Sequence, residues 1–348
     1  MANALKMSET VIRPGQRRLI ELAIPDLYTH TSLNIPVQVI NGRQDGPRLM
    51  VCAAVHGDEI NGVEIIRRLL NLKILDRIRG ALIAVPVVNV YGFINQSRYL
   101  PDRRDLNRSF PGSETGSLAA RLAYTFLNEV VDHCTHGIDL HTGAIHRENL
   151  PQIRAYLDSE EIRRMAQAFT TPVVLHSNLV QGSMREALYQ RGFPIIVYEA
   201  GEALRFNEVS IRAGVQGIVS VMRELGMLPK LKRKGKKYEP LVARTSSWVR
   251  APQSGILRMI TPLGAQVDKG QLLGIISDPF GEREESVEAP VSGIVIGRVN
   301  IPLANEGEAL FHIAHFRRAD GLQDHLDTFQ EEMNPASDDH LPPEPPIV

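Results

Sequence analysis

The sequence predicts an α/β fold with a largely parallel or mixed central sheet flanked by helices, followed by a smaller all-β unit. Three observations carry this reading. Apolar, strand-like runs alternate with helix-period segments between residues 18 and 226, the pattern of a sheet built from crossover units. Beyond residue 237 the pattern changes to short apolar stretches punctuated by Gly and Pro. That second part repeats itself. Ala251-Pro-Gln-Ser-Gly-Ile-Leu257 returns as Ala289-Pro-Val-Ser-Gly-Ile-Val295, and Gly270–Ile276 returns more loosely as Gly307–Ile313. One supersecondary unit therefore occurs twice, its glycines serving tight turns between strands. A length of 348 residues accommodates about two domains at ~150 residues each.

The elements follow in chain order. Residues 18–56 read as strands. Arg48-Leu-Met-Val-Cys-Ala-Ala-Val55 is a continuous apolar run, as expected of a strand covered on both faces, and it ends in His56-Gly-Asp-Glu59. Ile60, Val63, Ile65, Ile66, Leu69 and Leu70 then recur at helical spacing. Ala81–Val88 is a second buried strand. Ser117 opens a helix through Val131, with Leu118, Leu122, Phe126 and Val130 on one stripe. Gly137–His141 is a short strand. Ser159 starts the next helix, and Glu160 and Glu161 in its first turn suit the helix dipole. Pro172–His176 and Pro194–Tyr198 are further strands, separated by a helix near Ser183–Gln190, and Asn207 begins a last helix ending near Gly226. The expected organisation is a catalytic domain over 1–228, a basic solvated connector at Lys230–Lys237, a β-rich domain over 238–330, and a Pro-rich tail, 331–348, expected to be disordered.

Composition excludes several classes. Lys and Arg number 39 against 40 Asp and Glu, so the general electrostatic footprint of a nucleic-acid binder is missing. Cys52 and Cys134 make neither a disulfide framework nor a Cys-rich zinc module. Met1–Gln16 is polar, without the apolar core of a signal peptide. The most apolar stretch, Ala81–Phe93, contains Pro86 and falls well short of the ~20 residues of a membrane span. The expectation is a cytoplasmic protein without a membrane or nucleic-acid partner. Neither a Gly-x-Ser-x-Gly elbow nor a Walker A sequence occurs, which leaves serine-hydrolase and P-loop readings unsupported.

Chemistry concentrates at strand ends, where open α/β sheets place their sites. His56 and Glu59 lie on the turn after a buried strand, where an imidazole and a carboxylate can reach one point. A catalytic zinc accepts His nitrogen and carboxylate oxygen from three protein ligands, and the third can come from another strand end, such as His141. By itself His-x-x-Glu is weak, because 11 histidines make a chance match expected. Capping of the following helix by Asp58 and Glu59 is the alternative. Glu199 ends the apolar strand Ile195–Glu199, where a carboxylate can carry a proton between water and a leaving amine or simply form an ion pair. Glu202 is its nearby competitor. The segment Arg98-Tyr-Leu-Pro-Asp-Arg-Arg-Asp-Leu-Asn-Arg108 is too polar for a core. Arg108 can grip a carboxylate bidentately, with Asn107 adding a donor. His146 and His176 are further pocket candidates. His133 and His136 have metal-like spacing but sit at a helix end, where His suits the dipole. Cys52 reads as inert core.

The combination is more specific than its parts. His56-Gly-Asp-Glu-Ile-Asn-Gly62, Asp105-Leu-Asn-Arg-Ser-Phe-Pro-Gly112, Asp139-Leu-His-Thr-Gly143 and Tyr198-Glu-Ala-Gly201 occur in this order. This resembles the succinylglutamate desuccinylase/aspartoacylase family, relatives of the zinc carboxypeptidases, over residues 45–225. The resemblance implies a zinc-carboxypeptidase-like domain with one zinc per subunit on His56, Glu59 and His141. It implies Glu199 as the proton-carrying catalytic residue and Arg98 as the group polarising the scissile carbonyl. It further implies Asn107 and Arg108 as holders of the amino-acid carboxylate, and Arg185 as a contact for an acid on the substrate side chain. Aspartoacylases commonly carry Asn where this chain has Asp58, a position that is not a ligand. Their loop ahead of Asn-Arg is shorter, which brings Arg103 and Arg104 into consideration. The repeated C-terminal part resembles a biotinyl/lipoyl-type barrel, but the hairpin Asp278-Pro-Phe-Gly-Glu-Arg-Glu284 has no carrier Lys. The function implied is a zinc-dependent amidohydrolase acting on a small N-acyl amino acid. A zinc carboxypeptidase trimming a peptide and a non-catalytic binding protein are the alternatives. The β-rich part offers sheet edges for a possible homo-oligomer.

Overall fold

The computed structural model describes residues 2–230, 240–316 and 322–333. The basic connector beyond Lys230 and the tail beyond Met333 lie outside the described residues. Leu5–Met7 (β1) and Thr10–Ile12 (β2) form a small antiparallel hairpin. The chain then lays down Arg17–Ile24 (β3), Leu33–Asn41 (β4), Gln44–Ala53 (β5), Asn61–Leu70 (α1), Arg79–Val85 (β6), Val90–Ile94 (α2) and Leu118–Glu129 (α3). His136–Gly143 (β7), Arg147–Ala155 (β8), Glu160–Ala168 (α4), Val173–His176 (β9), Met184–Gln190 (α5), Ile195–Glu202 (β10) and Glu208–Glu224 (α6) complete the α/β part. The C-terminal part contributes Leu241–Ala243 (β11), Thr245–Arg250 (β12), Gly255–Met259 (β13), Gln266–Val267 (β14), Leu272–Ser277 (β15) and Glu284–Glu288 (β16). Gly293–Val299 (β17), Leu303–Ala304 (β18), Ala309–His315 (β19) and Leu322–Met333 (α7) follow.

Among the described residues one mixed sheet runs β12-β19-β17-β8-β10-β7-β5-β6-β4-β3. Its centre, β10-β7-β5-β6, is parallel, and the strands outside it pair antiparallel along this path. Both faces of the centre are covered, which explains the unbroken apolar run of β5. Met50 and Cys52 face α3 and α5, while Leu49, Val51 and Ala53 face α1, α4 and α6, as the two-residue period of a strand requires. The helix starts are set by side-chain caps. Ser117, Ser159, Ser183 and Asn207 each accept a hydrogen bond from a backbone N–H in the first turn of α3, α4, α5 and α6.

Three features depart from the sequence expectation. Arg147–Ala155 is a strand, β8, although its Arg, Glu, Asn, Pro and Gln residues show no strand pattern. Ala81–Val88 is strand only as far as Val85, since Pro86 follows without an N–H to donate. The β-rich span expected to reach residue 330 ends with β19 at His315, and Leu322–Met333 is a helix. Among its described side chains Leu326, Phe329 and Met333 are buried, and Phe329 and Met333 pack with Ala213 of α6.

The repeated segments separate between two layers, while β14 of the first half pairs with β17 and β18 of the second pairs with β13. The first supplies β13 and β15, paired antiparallel in a four-stranded sheet with β16 and β18. The second supplies β17 and β19, paired antiparallel in the main sheet. Leu257, Leu273 and Ile276 of one layer pack against Val295, Leu310 and Ile313 of the other. At the turn between β15 and β16 the Asp278 carboxylate accepts the N–H groups of Phe280 and Arg283 at 2.7 and 2.6 Å. Strand β8 joins the two parts of the molecule. Arg147–Asn149 pair with β17, and Gln152–Ala155 pair with β9, which in turn pairs with β11. No helix among the described residues is long and apolar enough to cross a membrane.

Candidate metal centre and active-site cavity

Strands β5 and β7 are parallel neighbours and end at the same edge of the sheet. Just past β5, Ala54 takes a left-handed φ of 50°, and His56 and Glu59 follow on the turn into α1. Gly57 is required there by close approach, because a Cβ would sit 2.0 Å from the carbonyl carbon of Gly92 in α2. His141 lies on β7 two residues after Asp139, so both share a face. Glu199 of β10 is the register partner of His141, which sets the two side chains beside each other on that face.

His56, Glu59 and His141 are buried, at 4%, 2% and 5% exposure. Glu59 stands between the imidazoles, with Oε1 2.7 Å from His56 Nδ1 and Oε2 2.7 Å from His141 Nδ1. The far edge of each ring meets a second carboxylate. His141 Nε2 is 2.7 Å from Asp139 Oδ2, and His56 Nε2 is 3.2 Å from Asp105 Oδ1. An imidazole that donates Nε2–H to a carboxylate presents its lone pair at Nδ1. Two such lone pairs and one carboxylate converge here, with ligand atoms all within 4.8 Å of one another. This donor set fits a zinc site with three protein ligands.

Electrostatics agree with that fit. Burial works against charge on His141, but Asp139 and Glu59 outweigh it and raise its pKa well above the usual imidazole value. Burial likewise pushes Glu59 up, yet His56 and His141 hold it below the ordinary carboxylate range. A divalent cation on these ligand atoms would compete with the protons that Glu59 and Asp139 favour on the imidazoles.

A cavity of about 260 Å³ opens over the cluster, and His56, Glu59, Arg98, Asn107, Arg108, His141, Arg185 and Glu199 line it. Arg98 reaches it from the loop after α2, its Nη1 3.2 Å from Glu59 Oε1 and its Nη2 3.0 Å from Asp105 Oδ2. Asn107 Oδ1 accepts the N–H of Met184 at 2.9 Å, which leaves Nδ2 as its donor for the cavity. Arg108 donates Nη1 to the Asn107 carbonyl at 2.6 Å. Arg185 donates to Ser177 Oγ and the Asn178 carbonyl at 2.9 and 2.6 Å, and its Nη1 is buried without a partner. Burial and the nearby Arg154 bring the Arg185 pKa down to about 10. Glu199 accepts from Asn149 Nδ2 at 2.8 Å and pairs with Arg154 at 3.3 Å.

The other candidates are elsewhere. His146 and Glu202 line a different cavity, where Glu202 accepts the His146 N–H and Asn300 Nδ2. His176 accepts the Leu157 N–H, and His136 pairs with Glu161. Arg103 and Arg104 are exposed and away from the cavity. Cys52 is fully buried, and burial, with Asp139 beside it, raises its thiol pKa well above the usual value. Asp58 does not cap α1.

Sequence reasoning missed Asp105, Asp139, Arg147, Asn149, Arg154, Trp248 and Arg298. Asp139 carried a usable signal, because Asp-x-His on a strand puts both side chains on one face. Trp248 and Arg298 come from the C-terminal strands β12 and β17 and carried none. Trp248 stacks on His312 with ring centroids 4.3 Å apart, and the Arg147 guanidinium lies 5.7 Å from its ring centroid. Six arginines line the cavity against the three carboxylates of Glu59, Asp139 and Glu199, so the cavity favours an anionic occupant.

The catalytic-domain model of the succinylglutamate desuccinylase/aspartoacylase family matches residues 45–225. The chain belongs to this family. The family resemblance read from the four motifs is thereby shown. A curated relative, the N-alpha-acetyl-L-2,4-diaminobutyric acid deacetylase of Halomonas elongata, is 25% identical over 297 residues, 80% of this chain and 85% of that protein. The product-bound ectoine utilization protein EutE (DoeB) from Ruegeria pomeroyi superposes with a TM-score of 0.80 at 24% identity, over 91% of this chain and 100% of that one. The succinylglutamate desuccinylase/aspartoacylase from Rhodobacter sphaeroides gives a TM-score of 0.76 at 23% identity, over 87% and 96% of the two chains. These superpositions establish the mixed α/β fold of the family for this chain.

Proposed function

We propose that this family member is a zinc-dependent amidohydrolase that removes the acyl group from a small N-acyl amino acid. The convergence of His56, Glu59 and His141 at the floor of a cavity shared with Glu199 carries this reading. His56, Glu59 and His141 would hold the zinc, which would supply a Lewis acid for activating water and polarising the amide carbonyl. Glu199 takes the proton of the attacking water and returns it to the departing amine. Arg98, cationic and anchored between Glu59 and Asp105, faces the negative charge that develops on the carbonyl oxygen. Arg108 and the Asn107 amide hold the α-carboxylate of the substrate, and Arg185 offers a second cationic contact. The products are a carboxylic acid and a free amino acid. The relative from Halomonas elongata, named as the deacetylase of an N-acetylated amino acid, supports this class of reaction.

Zinc chemistry would equally serve a carboxypeptidase. A cavity of about 260 Å³ walled by Trp248 and Arg298 favours a small molecule over a polypeptide end. The deciding experiment assays N-acetyl and N-succinyl amino acids and short peptides with zinc-loaded and chelated enzyme, alongside metal analysis. Hydrolysis of N-acyl amino acids that disappears on chelation and returns with zinc is the expected result. Cleavage of peptides alone would establish the carboxypeptidase, and failure to bind metal would leave a binding protein.

A further inference from the structure

The Glu199 carboxylate is held from β8. Asn149 Nδ2 donates to its Oε2 at 2.8 Å, and Arg154 Nη1 lies 3.3 Å from its Oε1. The ladder holds the Glu199 backbone between His141 of β7 and Gln152 of β8, and the register of β10 slips only beyond it. The ladder fixes only the backbone, and the contacts with Asn149 and Arg154 hold the carboxylate at the end of the side chain. Strand β17 in turn constrains β8 at this point. Asn149 is buried, at 7% exposure, and is the register partner of Gly297. A Cβ at Gly297 would stand 2.9 Å from Asn149 Oδ1 and 3.3 Å from His312 Cβ, so the absence of a side chain there sets where the Asn149 amide can lie. Gln152, the register partner of Glu199, is fully buried and donates Nε2 to the Ile296 carbonyl at 2.9 Å.

We propose that Asn149 is a positioning residue for Glu199 and that Gly297 of β17 sets the place of Asn149. The C-terminal strands would then be part of the catalytic apparatus as well as a wall of the cavity. This rests on the reading of Glu199 as the proton carrier. Asn149 engages Oε2 and Arg154 lies against Oε1, which leaves a lone pair of Oε1 to face the reacting atoms. A shift of ~1 Å in a reacting group costs on the order of 10²-fold in rate, so loss of this contact acts on turnover rather than on substrate affinity.

The test uses the full-length, zinc-loaded chain and the N-acyl amino acid that the wild type cleaves best. Asn149→Ala should lower kcat about 10- to 100-fold with KM and zinc affinity unchanged. Asn149→Ser should recover part of the loss by restoring a donor, and Gly297→Ala should reproduce it by displacing the amide. The double variant Asn149→Ala/Glu199→Gln should be no slower than Glu199→Gln alone, since both act through one carboxylate. Crystal structures of the wild type and Asn149→Ala should show the Glu199 carboxylate turned out of its wild-type position. An unmoved carboxylate, or wild-type kcat in Asn149→Ala, overturns the proposal even if Gly297→Ala fails to fold. Normal turnover by Glu199→Gln removes the proton-carrier role instead, and the two crystal structures then decide the positioning claim without any assay.

Discussion

Asp139 and Asp105 engage, on His141 and His56, the ring nitrogen that faces away from Glu59. Carboxylates in this relation to a ligating histidine fix its tautomer and orientation, and their loss weakens metal binding about 10- to 100-fold. Asp139→Asn should therefore lower zinc affinity by that factor in competition with a chromophoric chelator, while the protein stays folded. An unchanged affinity would mean that His141 needs no such partner. Arg108 makes a separate claim. A charge-assisted bidentate contact contributes roughly 1.5–3 kcal/mol, so Arg108→Ala should erase most of the preference for a free acid over its α-carboxamide. Comparison of kcat/KM for the two substrates reads this directly, and an undiminished preference would place the anchor elsewhere.

Secondary-structure elements deliver His56 and Glu59 through a tight backbone contact. The turn from β5 into α1 runs against α2, where Gly57 would place a Cβ 2.0 Å from one backbone atom of α2 and 2.2 Å from another. Backbone on both sides cannot yield as a side chain does. Gly57→Ala should displace His56 and Glu59 together, lowering zinc content and melting temperature in parallel, and a stable variant with full zinc content would contradict this account. Strand β8 shows why part of the site was illegible from the sequence. Asn149, Gln152 and Arg154 lie on it as buried or half-buried polar groups, which breaks the apolar pattern that announces a strand. Functional sites are where such local rules fail. Helix α7 is a different case, because Leu326, Phe329 and Met333 do fall on one helical stripe that was available to be read.

At the scale of the molecule, the catalytic sheet and the C-terminal strands are one hydrogen-bonded surface. Removing residues 231–348 would strip β17 from β8 and β11 from β9, leaving open edges that invite pairing with other chains. It would also remove Trp248 and Arg298 from the cavity wall. A fragment ending at residue 230 should therefore aggregate or lose turnover, as size-exclusion chromatography and assay would show. A monomeric, fully active fragment would prove the C-terminal strands dispensable.

The alternation of strands and helices, the Ser and Asn caps, and the placement of His56, Glu59, His141 and Glu199 at strand ends were legible along the chain, because each depends on neighbours within one element or one turn. The charge-rich segment Arg98–Arg108 was legible as a site loop because it cannot be core. The assembly of these residues around one cavity of about 260 Å³ was decided only by strand order and register. So were the contacts of β8, where Asn149 meets Glu199 50 positions away and Gln152 meets Ile296 144 positions away. Hydrophobic periodicity reports which face of a segment is buried, whereas a buried polar group is stable only if a partner is brought to it, and that partner is supplied by the fold.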